Sequence, residues 1–192
     1  MKTCWAGSFV IAAALLFTAA ARAQQPVATL LPAQSEIVFT STQMGVPVEG
    51  RFKRFDAQIA LDPKRPEAAR IAFAIDTGSA TLGLPETDAE LLKSAWFNTA
   101  KFPQARFASS AVKGLGGGRF EVTGQLAIKG GTQTVTVPVL VTQSAGTSTA
   151  SGSFAIKRLE FRIGEAEWAD TSIVANEVRV RFKLALAGIA PL

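Results

Sequence analysis

The chain has 192 residues, with 20 Lys and Arg against 15 Asp and Glu, one cysteine, no histidine and no tyrosine. Without His, and with a lone Cys, the usual ligands of zinc and copper are missing and every triad built on a histidine base is excluded. A formal charge of +5 is a solubility-scale excess, not a nucleic-acid footprint. The opening segment has the form of an export signal: Lys2, then an apolar run from Phe9 to Ala20, then Ala21-Arg22-Ala23 as a small-x-small cleavage site. A membrane anchor needs about 20 apolar residues, and Arg22 ends this run early. Cleavage after Ala23 is therefore expected, with residues 1–23 a signal peptide and 24–192 one exported domain. Cys4 leaves with the signal, so disulfides and thiolate chemistry go too, while eleven phenylalanines remain.

In chain order, residues 24–34 read as an extended lead-in around Pro26 and Pro32. Period-two alternation then predicts strands. Glu36–Gln43 aligns Ile37 with Phe39. Val48–Asp62 aligns Phe55, Ala57, Ile59 and Leu61, and Phe52 on the opposite parity predicts a bulge or bend near Arg54. Arg70–Thr77 aligns Ile71, Phe73 and Ile75. Further strands are expected at Ala105–Lys113, Arg119–Lys129, Gln133–Gln143, Ser151–Ile163 and Asn176–Ala187, with a hairpin turn at Gly130-Gly131. Pro138 cannot donate to a ladder, so an edge or a bulge is expected there. The last strand sets Val178, Val180, Phe182, Leu184 and Leu186 against Arg179, Arg181 and Lys183. Eight antiparallel strands with one apolar face suit a closed barrel or a sandwich. A barrel of this size holds a filled interior or one small ligand. A transmembrane barrel would turn the apolar face outward, but the chain lacks the aromatic girdles that such a barrel needs.

One segment interrupts the strands. Thr87-Asp88-Ala89-Glu90 has the spacing of a capping box, which predicts a helix from Asp88 to about Ala95 after the third strand. Leu92 and Trp96 would share its apolar face. Docked on the open end of a barrel, this helix would act as a lid, or its aromatics would simply complete the core.

The motifs resemble those of the YceI-like, polyisoprenoid-binding proteins of bacteria. Ser35-Glu36-Ile37-Val38-Phe39 resembles the opening strand of that family, and Gly50-Arg51-Phe52-Lys53-Arg54-Phe55-Asp56 its G-x-F-x-x-F stretch. Asp76-Thr77-Gly78-Ser79-Ala80, Asp88-Ala89-Glu90-Leu91-Leu92, and Trp96-Phe97 through Phe102-Pro103 to Phe107 follow in family order. Gly124-Gln125-Leu126-Ala127-Ile128-Lys129-Gly130 resembles the G-x-L-x-I-x-G element, and Arg158 to Gly164 the late R-x-x-F-x-x-G element. The likeness spans residues 35–187. It implies an all-β fold, an eight-stranded antiparallel lipocalin-like barrel in the periplasm, with a long isoprenoid in its pore. Gln43-Met44-Gly45-Val46-Pro47-Val48 resembles the subgroup that occurs with cytochrome b561-type membrane proteins, which implies a quinone-like ligand and such a cytochrome as partner. Where many members carry His and Tyr, this chain has Gln43 and Phe102, so it lacks the polar contacts those residues supply.

The expected function is that of a non-enzymatic carrier that holds an isoprenoid lipid or isoprenoid quinone, with no covalent cofactor and no metal. Hydrocarbon burial yields roughly 25 cal/mol per Å², and an apolar wall leaves no polar group unpaired against it. The expected lining residues are Phe39, Phe55, Phe73, Leu92, Trp96, Phe97, Phe107, Phe120 and Phe182. Lys93, Lys101 and Arg106 are candidates for an anionic head group. The competing reading is a periplasmic interaction partner of a membrane cytochrome with a filled core. A hydrolase built on carboxylates such as Asp88 and Glu165 is a third. The sequence leaves the oligomeric state open, a homodimer included.

Overall fold

The computed structural model describes residues 27–192, and the expected signal segment lies outside the described residues. The elements in order are β1 (Val27–Leu30), β2 (Glu36–Gln43), β3 (Val46–Phe52), β4 (Phe55–Ala60), β5 (Arg70–Asp76), β6 (Ala80–Thr81), α1 (Pro85–Leu91), β7 (Gln104–Gly116), β8 (Arg119–Ile128), β9 (Gly131–Ser144), β10 (Thr147–Lys157) and β11 (Val174–Ala187). Every pairing is antiparallel. β3 and β4 are successive halves of one stave, as are β5 and β6, and β11 bonds both β10 and β2. The result is the expected closed barrel of eight staves, with one short helix after the third.

Period-two patterning decides which side chains point inward. Ile37, Ile59, Phe120, Val122, Leu184 and Leu186 are buried, while Arg179, Arg181 and Lys183 on β11 are exposed. The apolar face is the interior, the inverse of a transmembrane barrel.

Four sequence expectations need correction. Residues 27–30 are a strand, not a lead-in. β1 lies where β2 runs out, pairing with β4 at Val27↔Ala60 and with β11 at Leu30↔Leu186. Four residues are too few for alternation to show. Second, the single strand expected over Val48–Asp62 breaks at Lys53-Arg54, where the bend was expected. The Asp76–Ser79 turn grips the break: the Lys53 and Arg54 N–H groups donate to Ser79 O and Oγ, and Arg54 Nε donates to Asp76 Oδ2 at 2.8 Å.

Third, the hairpin turn after β8 is Lys129-Gly130, not Gly130-Gly131. Both residues have positive φ (48° and 77°), as a two-residue turn between right-twisted strands requires. The Lys129 ammonium is tethered by three hydrogen bonds, which hold a non-glycine residue there. Fourth, β10 ends at Lys157 rather than running to Ile163, because Arg158 turns into the interior. Pro138 meets its expectation: β9 bonds β10 only from Val139 onward, so the proline stands where β9 pairs on one side alone.

Strand glycines give the inward phenylalanines their room. Phe39 pairs directly with Gly50, Phe182 with Gly152, and Phe107 lies diagonal to Gly124. In each case the ring rests where a Cβ would project. A Cβ at Gly152 would stand 2.5 Å from Pro138 O and 2.6 Å from Phe182 Cζ. Gly152→Ala must therefore shift the backbone of β9 as well as a ring. We expect it to destabilise the barrel by about 1–3 kcal/mol, measured by equilibrium denaturation, and an unchanged midpoint would contradict this packing.

Candidate ligand tunnel

Two adjacent chambers that share part of their walls lie inside the barrel. The inner chamber, about 120 Å³, is lined by hydrocarbon and phenyl groups alone, with Phe73, Phe107, Phe120 and Phe182 among them. The mouth chamber, about 180 Å³, adjoins the helix-bearing end, where Phe39, Phe52, Trp96, Phe97 and Trp168 form much of its wall. Ile37, Ile75, Leu126, Phe154 and Val180 line both and form the neck between them.

Seven of the nine expected lining residues therefore face a chamber: Phe39, Phe73, Trp96, Phe97, Phe107, Phe120 and Phe182. Phe55 does not. It points inward opposite Ile75 but is absorbed by packing. Leu92 does not either. The expected capping box fails because Pro85 occupies the first turn and the helix starts after Leu84, which places Thr87 within it. The helix then ends at Leu91, which is buried, and Leu92 is 40% exposed. A register of two or three residues at a helix start decides which of two adjacent leucines faces the core. Of the lining residues not expected from sequence, Phe52 sits at a strand break and Trp168 in an irregular loop, where parity carries no information, while Phe154 lies on β10 with the parity of Ala150 and Ile156.

The mouth is built of irregular backbone whose polar groups need partners. Arg158, 1% exposed, supplies many of them. Its Nε donates to Ala175 O, Nη1 to Ile163 O and Gly164 O, and Nη2 to Trp168 O and Val174 O, at 2.6–3.1 Å. Burial draws its pKa down from the ordinary guanidinium value. Lys129 Nζ, also buried, donates to Ala95 O, Arg162 O and Glu165 Oε2. The Ala95 carbonyl additionally accepts from Gly164 and Glu165 N–H, which ties the loop after α1 to the loop before β11. Asp88 is occupied structurally. It accepts from Thr81 Oγ1 and from Leu82 N–H at 2.5 and 2.6 Å. These bonds, the Thr81 one foremost, hold its carboxyl below the usual range.

A polar basin of about 590 Å³ lies beside the mouth, lined by Lys93, Lys101, Lys129, Arg162, Glu90, Glu165 and Glu167 among others. Two of the expected head-group residues, Lys93 and Lys101, are there. Lys93 is paired with Glu90 at 2.6 Å. Arg106 is not: it lies exposed on β7, bonded to Gln104. Its position in the strand sends it to the outer surface. Among the described residues no cluster of carboxylates, His or Cys could hold a metal ion.

The sequence model of the YceI-like domain matches residues 29–186. The chain belongs to the YceI-like family. A UPF0312 protein of Shewanella denitrificans is 33% identical over 129 residues, 67% of this chain and 68% of the relative. Protein YceI of Salmonella arizonae is 39% identical over 88 residues, 46% of each chain. Among solved structures, BcnA of Burkholderia cenocepacia superposes with a TM-score of 0.79 at 43% identity, covering 82% of this chain and 99% of BcnA. A polyisoprenoid binding domain from Saccharophagus degradans shares the fold at 18% identity, TM-score 0.67, over 86% and 98%.

The YceI-like motifs have physical roles here. In Arg158-x-x-Phe161-x-x-Gly164 the arginine binds the loop carbonyls and Phe161 is 1% exposed. Gly164, at φ +75°, leaves room for the guanidinium that a Cβ would strike. We expect Arg158→Leu to remove the partner of five carbonyls, three of them in buried bonds, and to lower stability by about 3 kcal/mol or more. Arg158→Lys should recover little, since one ammonium cannot reach the same fork of acceptors. Denaturant unfolding of both variants checks this. The second expectation concerns pH. A depressed folded-state pKa at Asp88 stabilises above the ordinary carboxylate value, about 4, and that contribution is lost as pH falls through the folded value. Protection of the Leu82 amide from hydrogen exchange should therefore fall below about pH 4 and be insensitive to pH in Asp88→Ala.

Proposed function

We propose that this YceI-like protein is a periplasmic, non-enzymatic carrier that shields an isoprenoid lipid or quinone-like molecule in the barrel. The observation that carries the reading is the two-chamber tunnel, whose inner half has no polar side chain in its wall. The neighbour from Saccharophagus, a polyisoprenoid binding domain, supports the same class of ligand on the same fold. The amino-terminal segment, with its short apolar run and Ala-Arg-Ala site, supports export. Asp88 and Glu165, the carboxylates a hydrolase would draw on, are committed to Thr81, Leu82 and Lys129.

Together the chambers approach the lower end of small-molecule sites, about 300 Å³. They accommodate a short stretch of isoprenoid as they stand. A longer chain displaces the neck residues Ile37, Ile75, Leu126, Phe154 and Val180. The filled-core reading, a protein partner of a membrane cytochrome, accounts less well for two apolar volumes in an interior that ordinarily packs densely.

Native mass spectrometry of protein recovered from the periplasm tests this. The expected result is a chain beginning at Gln24 with a co-purifying isoprenoid. Val180→Trp, which fills the neck, should remove most of the bound lipid while the fold persists by circular dichroism. A wild-type protein that carries no lipid and takes none up from an organic extract would refute the carrier function.

A further inference from the structure

The far end of the tunnel is closed by a short tail as well as by the sheet. The inward residues of β11 mark depth along the barrel. Val174 and Val178 line the mouth chamber, Val180 the neck, and Phe182, Leu184 and Leu186 the inner chamber. β11 ends at Ala187, and the chain leaves the ladder at Gly188. Ile189 then packs, half-buried, against the same core cluster and lines the inner chamber. It stands past the deepest residue of the last stave, where a hydrocarbon that enters from the mouth arrives last.

Two connections contribute to this end wall, and they are held differently. Leu61 comes from the link between β4 and β5. That link is fastened by Asp62, whose carboxylate accepts from Lys64 N–H and Arg65 Nε, and by Pro66, which rests where a Cβ of Gly114 would project. Beyond Gly188 the tail has two hydrogen bonds among the described residues, both with Gln143. Gln143 Nε2 donates to Ala190 O at 2.9 Å, and its Oε1 accepts from Leu192 N–H at 3.1 Å. Gln143 continues the inward row Val137, Val139 and Val141 of β9, so a polar clasp stands where that apolar row ends. Gln143 is exposed, and so is the hinge, Gly188, at φ +86°. Two exposed neutral hydrogen bonds contribute little net free energy. A segment held by so few bonds opens before the ladders do.

We propose that Ile189 is the chain-length stop of the tunnel, and that Gly188–Leu192 is a stopper which a longer hydrocarbon pushes out against the Gln143 clasp. This rests on the carrier reading and gives it a selectivity. Each methylene group that enters the inner chamber gains burial until the chain meets Ile189. The next group must displace the isoleucine, which breaks both Gln143 bonds and exposes an apolar side chain to water. Affinity then stops rising with chain length. Ile189 sets the length at which this happens, and Gln143 sets the penalty for exceeding it.

Isothermal titration of the delipidated protein with geraniol, farnesol and geranylgeraniol tests this, since each alcohol is one isoprene unit longer than the last. In the wild type, affinity is expected to level off before geranylgeraniol. Ile189→Ala should strengthen the first alcohol beyond that point about tenfold, as two further buried methylene groups imply. Ile189→Trp should weaken the longest alcohol that fits by a similar factor. Gln143→Ala lies outside the apolar wall and should strengthen the over-long alcohols about tenfold, as the release of two net hydrogen bonds implies. The Leu192 amide should exchange with solvent faster when geranylgeraniol is bound than when geraniol is. Circular dichroism reports whether each variant folds, and the Gln143→Ala profile decides the matter if an Ile189 variant does not. Affinity that climbs through the whole series in the wild type, a limit that neither Ile189 substitution moves, a Gln143→Ala profile identical to the wild type, or a Leu192 amide indifferent to chain length would each overturn the assignment. If the alcohols bind with a limit that ignores both residues, only this assignment falls. If none of them binds, the carrier function falls with it.

Discussion

The mouth of this barrel exists because one buried arginine bonds five backbone carbonyls. The staves satisfy their own polar groups through the ladders, but residues 158–173 are irregular, and Arg158, Ile163 and Trp168 of this stretch line an apolar chamber. Where this backbone is buried, its carbonyls need a partner that no ladder supplies. Arg158 gathers those of Ile163, Gly164, Trp168, Val174 and Ala175 around one guanidinium, whose planar fork suits several acceptors at fixed angles. Lys129 does the same for Ala95 and Arg162 from the other side. These cations face inward yet place no free charge in the cavity, so the tunnel stays electrostatically neutral while its rim stays ordered.

That neutrality shapes the chemistry available. With the charges committed to backbone, the chamber offers hydrocarbon, aromatic faces and a few uncharged polar groups. The inner half offers hydrocarbon and phenyl alone. Such an interior gains from burying an apolar chain and penalises anything polar that lacks a partner.

The glycines serve the same end from the wall. Gly50, Gly124 and Gly152 each let a phenylalanine of a neighbouring strand lie flat over the backbone instead of projecting across the barrel axis. A ring held against the wall leaves the axis free for a guest. The room inside this barrel therefore follows as much from missing Cβ atoms as from the aromatic side chains themselves.

The amino-acid sequence by itself determined the parity of each stave, and parity determined the barrel. Val178 through Leu186 alternate so regularly that only one face can be buried, and the same holds for Phe120 through Ile128. Five of the expected lining residues, Phe39, Phe73, Phe107, Phe120 and Phe182, follow from that alternation, because a strand side chain can point only in or out. Where the chain leaves the ladder, the signal fails. Leu91 and Leu92 are chemically equivalent, and Pro85 decided between them by setting where the helix begins. Arg106 is a surface residue, although its charge beside the helix suggested the mouth. Phe52 acquires its role at a break in the strand, and Trp168, Lys129 and Arg158 acquire theirs from partners that the fold brings together. Only tertiary structure could assign those roles, because hydrogen bonds from a buried cation depend on which carbonyls the fold brings within about 3 Å, and no local periodicity encodes that.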